Sequence, residues 1–464
     1  MKLSGKSPAV VAGLVLALSF AGAAAQAPNP DRETDPLVLA KLARWQDWKF
    51  GLMMHWGPYS QWGVVESWSI CSEDEPWCRR STPDYVAYKK AYEALPRTFN
   101  PVKFDPDKWA AAAKAAGMRY VVMTSKHHDG FTMYDTKQTD YRITGPDVPF
   151  RAHPKADALK AVFDAFRSRG FGTGAYFSKP DWHHPDFWAP ERDFTYRQIE
   201  EIVSGYGPLD ILWLDGGWVR PAPMVEIAPG HFVKNAKNMD VDMPKIAAMA
   251  RRHQPGLLVV DRTVTGRYEN YRTPEQEVPE KPLPYAWETC MTMGDSWSYV
   301  PGDRYKSANR LIHLLVDIVS KGGNFLLNIG PSPEGELAPE ALDRLRAIGE
   351  WMKINGEAIY GTRPIAPYKE VKTCFTALSD GTVHAIYLAD EDETTPPAKI
   401  MLTSIAPAPG SEVRMLGVRE PVRWEKIGKG ALLTLPAGAV AKPPCRHAWI
   451  FKFKAAGAEK GAGE

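Results

Sequence analysis

One carboxylate in this sequence follows a short apolar run and precedes two glycines. Residues 211–214 read Ile-Leu-Trp-Leu, and Asp215 and Gly216-Gly217 come next. If the run is a buried strand, Asp215 stands at its carboxyl end, where an α/β barrel carries its chemistry. Trp213 and Trp218 flank this acid, and their rings offer large apolar surfaces on which sugars can pack. The stretch suits cleavage of a glycosidic bond, although an Asp before two glycines can also simply open a turn.

Polar side chains also end most of the other predicted strands. In chain order the polar strand ends are His55; Lys126, His127, His128 and Asp129; Tyr176, Ser178, Lys179 and Asp181; Asp215; Asp261 and Arg262; and Glu288. The carboxyl ends of parallel strands meet at one rim of a barrel, so six such ends favour one cleft. Histidines with carboxylates also suit zinc, but the adjacent His127 and His128 would point to opposite sides of an extended segment.

Short apolar strands alternate with helical patterns from residue 36 to residue 362. The predicted strands are 50–55, 119–124, 172–177, 211–215, 257–261, 285–288 and 324–329, and the predicted helices are 105–116, 159–166, 192–204, 243–253, 311–318 and 338–354. This alternation predicts a parallel sheet, and about seven such units predict an α/β fold of the (β/α)8-like, TIM type. We therefore expect a barrel domain over residues 36–362.

The pattern changes after Pro364, where helical periodicity stops. Short alternating runs follow at 382–387, 399–402, 413–416, 431–435 and 448–453, with Pro and Gly between them. Such runs predict a small C-terminal antiparallel β-sandwich over residues 365–455. We expect this domain to brace the barrel, and its residues do not decide whether it also binds a glycan.

The first 25 residues have the composition of a secretory signal peptide. Lys2 and Lys6 precede an uncharged apolar run over residues 9–23, and small residues lead to Gln26. The run is shorter than the ~20 residues of a membrane-spanning helix. We therefore expect cleavage near Gln26 and export of a soluble protein to the periplasm or the medium, with no membrane partner.

Charge and cysteine content narrow the possible partners. The chain has 57 basic and 55 acidic residues, a net charge of +2, so no basic field favours nucleic acid. Five cysteines are present, an odd number, and Cys71 and Cys78 are close enough in sequence to pair in an exported protein. No spacing typical of a structural zinc site occurs.

Five motifs, taken together, resemble the α-L-fucosidases of glycoside hydrolase family 29. They are residues 49–57 (KFGLMMHWG), 120–131 (YVVMTSKHHDGF), 212–216 (LWLDG), 287–291 (WETCM) and 322–331 (GGNFLLNIGP). The resemblance covers most of residues 40–362. It implies hydrolysis of a fucosylated oligosaccharide or glycoconjugate, with neither a metal nor an organic cofactor.

The resemblance also implies roles for particular residues. Asp215 matches the family's nucleophile. His55, His127, His128, Tyr176, Trp213 and Arg262 match positions that line the fucose pocket. Glu66 and Trp68 match a Glu and a Trp that contact the sugar, although many members have these two adjacent and Ser67 intervenes here.

The general acid and base is harder to assign, because its region varies within the family. Glu275, in the segment 271–276 (YRTPEQ), is the first choice, and Glu288 is the alternative. The segments 63–68 and 272–275 are more similar to the subgroup that prefers α-1,3/1,4-fucosyl bonds on branched oligosaccharides. A retaining double displacement requires the two carboxyl groups about 5–5.5 Å apart, against roughly 6.5–9.5 Å for inversion.

Two other classes of function stay open at this stage. A metal-dependent hydrolase would use His55, His127, His128 and Asp215 as ligands and would lose activity in chelator. A non-catalytic carbohydrate-binding protein would use its tryptophans as platforms and would bind glycans without turnover.

Overall fold

The computed structural model describes residues 33–71, 80–184, 193–216, 241–262 and 266–455, together with the backbone of two strands between 224 and 234. The expected signal peptide, Cys78 and Trp218 lie outside the described residues, so the proposed pairing of Cys71 with Cys78 is untested. Within the described part of the chain, no helix is both long and apolar enough to cross a membrane.

The barrel strands follow one another in the predicted order. They are β1 (Phe50–Met54), β2 (Tyr120–Lys126), β3 (Gly172–Ser178), β4 (Ile211–Asp215), the hairpin β5 (Met224–Ala228) and β6 (His231–Lys234), then β7 (Leu258–Asp261), β8 (Glu288–Thr292) and β9 (Asn324–Asn328). Seven of them form one parallel sheet in the order β7-β4-β3-β2-β1-β9-β8, with β5 and β6 paired only to each other. Their near-continuous burial explains why the apolar runs inside these strands do not alternate with polar residues.

Eight helices accompany these strands in the described part of the barrel domain. They are α1 (Pro36–Trp48), α2 (Tyr85–Glu93), α3 (Pro106–Ala115), α4 (Ala158–Arg167), α5 (Phe194–Gly205), α6 (Met243–His253), α7 (Ala308–Ser320) and α8 (Pro339–Asn355). Asp105 caps α3 by accepting from the backbone N–H groups of Asp107 and Lys108, with Pro106 in the first turn, as its sequence predicts. Trp45 of α1 packs into the same core cluster as Met53 inside the barrel.

An irregular segment takes the eighth place in the barrel, between β7 and β8. The backbone N–H of Asp261 donates to Tyr268 O (3.0 Å) on one side. On the other side the backbone N–H of Cys290 donates to Pro274 O (3.2 Å), and that of Gln276 donates to Cys290 O (3.0 Å). The segment 268–276 therefore closes the barrel without forming a regular strand, and it carries Glu275.

The predicted strand at 285–288 is wrong by three residues. β8 begins at Glu288, which pairs with Asn324, the first residue of β9. Pro282 and Pro284 precede it and cannot donate to a ladder. Glu288 thus lies at the amino end of its strand, away from the rim at which we expected it.

The C-terminal domain consists of eight antiparallel strands and one short helix. They are β10 (Arg363–Glu370), β11 (Thr373–Ala377), β12 (Thr382–Leu388), β13 (Lys399–Leu402), β14 (Val413–Met415), β15 (Pro421–Ile427), β16 (Gly430–Thr434), α9 (Ala437–Ala441) and β17 (Ala448–Lys454). The ladder order is β10-β11-β12-β17-β14-β15-β16-β13, and all eight strands surround a core that includes Phe375, Phe451 and Leu433. We did not predict β10, β11 or β15; β10 contains two prolines and is partly exposed.

Polar contacts join this domain to the outer helices of the barrel. The indole of Trp351 in α8 donates to Ala448 O (3.0 Å), and the amide of Asn309 in α7 donates to Ala389 O (2.9 Å). The domain thus holds the two helices that flank β9, on the side of the barrel away from Asp215.

Candidate active site

A cavity of about 460 Å³ opens at the carboxyl ends of the barrel strands. Ten of the residues singled out in the sequence line it: His55, Glu66, Trp68, His127, His128, Tyr176, Trp213, Asp215, Arg262 and Glu275. Four further residues complete the lining: Met53, Gly216, Cys290 and Trp297. The parallel strands bring these groups together because each one lies in the middle or carboxyl-terminal part of a strand or in a segment that connects the strands.

Asp215 is held by polar groups on both of its oxygens. The phenol of Tyr176 donates to Oδ2 (2.7 Å), and Nη1 of Arg262 donates to Oδ1 (3.1 Å). Burial raises the pKa of Asp215, but the charge of Arg262 and the hydrogen bonds from Tyr176 and the Gly216 N–H outweigh it. The pKa of Asp215 therefore lies well below its ordinary value, and the carboxylate is ionised at neutral pH.

Arg262 also contacts a second carboxylate. Its Nη2 pairs with Oε2 of Glu275, which reaches the pocket from the segment that closes the barrel. The Glu275 side chain is 39% exposed, against 16% for Asp215, so it stands nearer the mouth of the cavity. One guanidinium therefore holds two carboxylates at the same site.

Glu288 is placed differently from both of these acids. It is fully buried and does not belong to the lining of the cavity. Its carboxylate accepts hydrogen bonds from the phenol of Tyr120 and from the indole of Trp213 (3.2 Å). Burial raises the pKa of Glu288 to about 7, and these hydrogen bonds only partly offset that effect.

His55 and His128 face the cavity as neutral imidazole rings. Nδ2 of Asn328 donates to Trp297 O (2.6 Å), which fixes the orientation of the amide. Its Oδ1 must therefore accept from Nδ1–H of His55 (2.8 Å). Ser178 donates to Pro180 O (2.8 Å) and accepts from Nδ1–H of His128 (2.7 Å). Each ring therefore carries its proton on Nδ1, and Nε2 of His128 lies 3.8 Å from Oδ2 of Asp215.

Burial keeps these imidazoles uncharged. It lowers the pKa of His55 and of His128 to about 4, despite the opposing charge of Asp215. His127 is buried beside both of them, and burial lowers its pKa well below the ordinary value as well. Arg262 is then the cation that faces Asp215 at neutral pH.

A tight turn brings both Glu66 and Trp68 into the cavity in spite of the intervening residue. Glu66 has a positive φ of 29°, and it starts a short 3-10 helix that runs to Ile70. Ser67 points the other way and hydrogen bonds with Nδ1 of His127. The Trp68 ring lies 5.1 Å from the ring of His128. Ser67 therefore supports the pocket from behind and does not displace Trp68.

Glu66 is a buried acid bound to the loop that carries Trp297. Its Oε1 accepts from the backbone N–H of Ser298 (2.8 Å). Burial raises the pKa of Glu66 to about 8, and the nearby Glu275 adds to the effect. The pocket thus pairs an ionised carboxylate, Asp215, with a protonated one at neutral pH.

The residues described here converge on no group of three or more His, Cys, Asp or Glu side chains arranged for a metal ion. The cavity instead combines an ionised carboxylate, a second carboxyl group on the same guanidinium, neutral acceptors and aromatic surfaces. Those are the components that glycoside hydrolysis requires.

A family model described as alpha-L-fucosidase matches residues 18–357 of the chain, well over half of its 464 residues. The chain belongs to the α-L-fucosidase family. It is a glycoside hydrolase, and the resemblance of its five motifs to this family is confirmed.

Curated and solved fucosidases are similar to this one along nearly its whole length. The alpha-L-fucosidase of Branchiostoma floridae is 28% identical, over 95% of this chain and 99% of its own. The alpha-L-fucosidase isoenzyme 1 from Paenibacillus thiaminolyticus is 28% identical with a TM-score of 0.73, over 90% of this chain and 100% of its own. The Thermotoga maritima alpha-fucosidase in complex with fucose is 26% identical with a TM-score of 0.69, over 88% and 96%.

Asn328 and Trp297, which lie at or beside the cavity, were not singled out from the sequence. Asn328 ends β9 and orients His55, and the polar strand-end pattern would have identified it had we included the last strand. Trp297 lies 5.2 Å from the His55 ring in a loop without a periodic pattern, so no signal in the sequence marks it.

Proposed function

We propose that this fucosidase removes terminal α-L-fucosyl residues with retention of configuration, using Asp215 as the nucleophile and Glu275 as the general acid and base. The observation that carries the proposal is that both carboxylates share the guanidinium of Arg262 inside one cavity. Two carboxyl groups on neighbouring nitrogens of one guanidinium suit the short spacing of a retaining enzyme. The wider spacing of an inverting enzyme leaves room for a water between substrate and base.

In the first step Asp215 attacks the anomeric carbon while Glu275 protonates the departing glycosidic oxygen. Asp215 is ready for attack because Arg262 and Tyr176 keep it ionised. Glu275 gives up its contact with Arg262 to reach the leaving oxygen, and its position near the mouth suits that role. In the second step Glu275 takes a proton from water, which attacks the fucosyl–Asp215 ester and releases fucose.

The remaining lining residues recognise the sugar in this proposal. The neutral Nε2 atom of His55 accepts a hydrogen bond from a fucose hydroxyl, and His128 contributes its ring to the same cavity wall. Met53 and Trp297 offer apolar surface to the methyl group. A pocket built to bond particular hydroxyl groups discriminates against sugars without them, because its buried acceptors are then left unpaired.

We propose an α-1,3- or α-1,4-fucosyl bond on a branched oligosaccharide as the preferred substrate. Support comes from the segments 63–68 and 272–275, which resemble the branch-linkage subgroup. Glu66, Trp68 and Glu275 of these segments all line the cavity. The bond to be cleaved would therefore lie among the residues in which the subgroups differ.

The experiment compares fucose release from an α-1,3/1,4-fucosylated branched trisaccharide and from a linear α-1,2-fucosylated one. Wild type should prefer the branched substrate and be indifferent to chelator. Asp215→Ala should lose at least about a thousandfold in kcat. Azide should partly restore release of the disaccharide leaving group from this variant, with β-L-fucosyl azide in place of fucose as the other product. The exposed Asp140→Ala serves as the control.

Other outcomes of this comparison would change particular parts of the proposal. Full activity of Asp215→Ala would remove the assigned nucleophile. Loss of activity in chelator would favour a metal-dependent hydrolase, and binding without release from either substrate would favour a carbohydrate-binding protein. Preference for the α-1,2 bond would reject the linkage but keep the mechanism.

We also propose that the protein is exported, because residues 1–25 have the composition of a signal peptide. Expression in a bacterial host followed by N-terminal sequencing of the periplasmic fraction tests this. A mature protein that starts near Gln26 is the expected result, and an intact Met1 in the cytoplasm would refute export.

A further inference from the structure

Glu288 lies beneath the cavity and has no part in the proposed chemistry. It stands at the amino end of β8, opposite Asn324, whereas the lining begins two residues later at Cys290. Its carboxylate therefore lies one layer deeper in the barrel than the pocket floor, with no exposed surface.

Two donors inside the barrel use both oxygens of this carboxylate. The phenol of Tyr120 donates to Oε2, and Nε1–H of the Trp213 indole donates to Oε1 over 3.2 Å. A buried acid is costly, as the raised pKa of Glu288 shows. An apolar side chain of similar size would avoid that cost, but it would leave the Trp213 N–H without this acceptor.

The ring of Trp213 is where the two groups that hold Asp215 meet. The Tyr176 ring stacks on it at 5.3 Å between centroids, with 22° between the planes. The Arg262 guanidinium lies over it, 5.5 Å from the ring centroid. Tyr176 and Arg262 then each bind one oxygen of Asp215.

We propose that Glu288 is a positioning residue that fixes the Trp213 indole as the platform on which Tyr176 and Arg262 orient the nucleophile. The inference rests on the proposed role of Asp215. It replaces the acid/base role that we had considered for Glu288, because no part of its side chain reaches the cavity. Its effect is on the attack at the anomeric carbon and not on protonation of the leaving oxygen.

The test compares Glu288→Gln with Glu288→Leu. Glutamine keeps an oxygen for the Trp213 N–H and gives Tyr120 an N–H that its phenol oxygen can accept, so kcat/KM should stay within about fivefold of wild type. Leucine removes both acceptors, and kcat/KM should fall about ten- to a hundredfold. Circular dichroism and active-site titration establish that each variant is folded and report its active fraction.

Substrates with different leaving groups separate a positioning role from acid catalysis. Glu288→Leu should slow a dinitrophenyl fucoside, which needs no proton, as much as it slows the branched trisaccharide. Glu275→Gln should lower kcat/KM for the trisaccharide but not for the dinitrophenyl fucoside, whose kcat should still fall because Glu275 also activates the water of the second step. The acid limb of kcat/KM in Glu288→Leu should also move to higher pH, because a nucleophile less tightly held by Arg262 and Tyr176 is protonated more readily.

Three outcomes would overturn the proposal. If Glu288→Gln lost trisaccharide activity but kept its kcat/KM on the dinitrophenyl fucoside, and azide raised kcat on that fucoside, Glu288 would be the acid and base. Wild-type kinetics in a folded Glu288→Leu would remove any role. A reduced active fraction with an unmoved acid limb would leave only a structural role. Trp213→Phe removes the same hydrogen bond from its other end, so if Glu288→Leu fails to fold, an unmoved acid limb in Trp213→Phe refutes the inference.

These outcomes are distinguishable from failure of the proposed function. Fucose release by wild type and azide recovery of Asp215→Ala test the hydrolase mechanism without any change at Glu288. The Glu288 variants are then compared only with that wild type.

Discussion

Arg262 and Asp215 are joined by a 3.1 Å hydrogen bond from Nη1, while Nη2 of the same guanidinium holds Glu275. The side chains of Arg262 and Asp215 are only 15% and 16% exposed, so water screens the attraction between their charges only weakly. Asp215 in turn raises the pKa of Arg262 above its ordinary value, although burial opposes that shift. The guanidinium therefore stays charged at any pH at which the enzyme folds.

Replacing Arg262 by lysine should weaken this arrangement. A lysine ammonium is a point charge without the planar fork, so it cannot face both carboxylates in the same way. We expect kcat/KM to fall roughly ten- to a hundredfold and its acid limb to move to higher pH, because the pKa of Asp215 rises. The pH profile on an aryl fucoside measures this, with Arg414→Lys in the C-terminal domain as the control, and an unmoved limb would contradict it.

Glu275→Gln tests the assignment of the acid and base. We expect a loss of about 10²–10⁴ in kcat/KM on the branched trisaccharide, because amide nitrogen cannot protonate the leaving oxygen. Glu277→Gln, an exposed glutamate two residues further along, is the matched control. Equal losses in the two variants would rule out a specific role for Glu275.

Asn328 sets the tautomer of His55, and two substitutions separate its effects. Asn328→Ala removes the acceptor for Nδ1–H, so KM should rise several-fold to about tenfold with a smaller change in kcat. Asn328→Asp keeps an acceptor but adds a negative charge, which raises the pKa of His55 from about 4. Its Nε2 then becomes protonated as the pH falls and stops accepting from the sugar.

The acid limb of Asn328→Asp should accordingly lie at higher pH than that of wild type or Asn328→Ala. Steady-state kinetics between pH 4.5 and 8 check this. Asn309→Ala, whose amide contacts Ala389 and not the pocket, is the control. Identical acid limbs in all variants would contradict the assigned tautomer.

Glu66→Gln should change how stability depends on pH. In wild type the folded chain keeps the Glu66 proton up to about pH 8, whereas the unfolded chain releases it near 4.5. Because the folded state binds more protons in this window, the free energy of unfolding falls as the pH rises through it. The glutamine variant has no titrating carboxyl group at this position. The melting temperature of the variant minus that of wild type should therefore increase as the pH rises from 4.5 to 8.

Thermal unfolding at intervals across that range measures the difference. Glu288→Gln offers an internal comparison, because burial raises the pKa of Glu288 only to about 7. The melting-temperature difference between this variant and wild type should therefore stop increasing at a lower pH. A difference in melting temperature that is independent of pH would show that Glu66 is already ionised in the folded protein.

The pattern of polar strand ends predicted many of the side chains that line the cavity, for a physical reason. In a parallel sheet the side chains at the carboxyl ends of the strands meet at one rim whatever the details of packing. His55, His128, Asp215 and Arg262 could therefore be grouped before any coordinates. The same reasoning failed for Glu288. We placed it at the carboxyl end of a strand, but it is the first residue of β8, and strand boundaries are the least certain part of a sequence-based prediction.

The sequence by itself determined that this chain is a barrel with a small antiparallel domain and that a carboxylate stands at the end of β4. Those features follow from the local periodicity of apolar residues, from helix caps and from turns, and they depend little on contacts between distant parts of the chain. Only the tertiary structure decided that Arg262 is shared by Asp215 and Glu275, and that Glu288 lies under Trp213 and not in the cavity. These two arrangements depend on how segments far apart in the chain are aligned with each other in the barrel. A shift of three residues along one strand moves a side chain from the rim into the core.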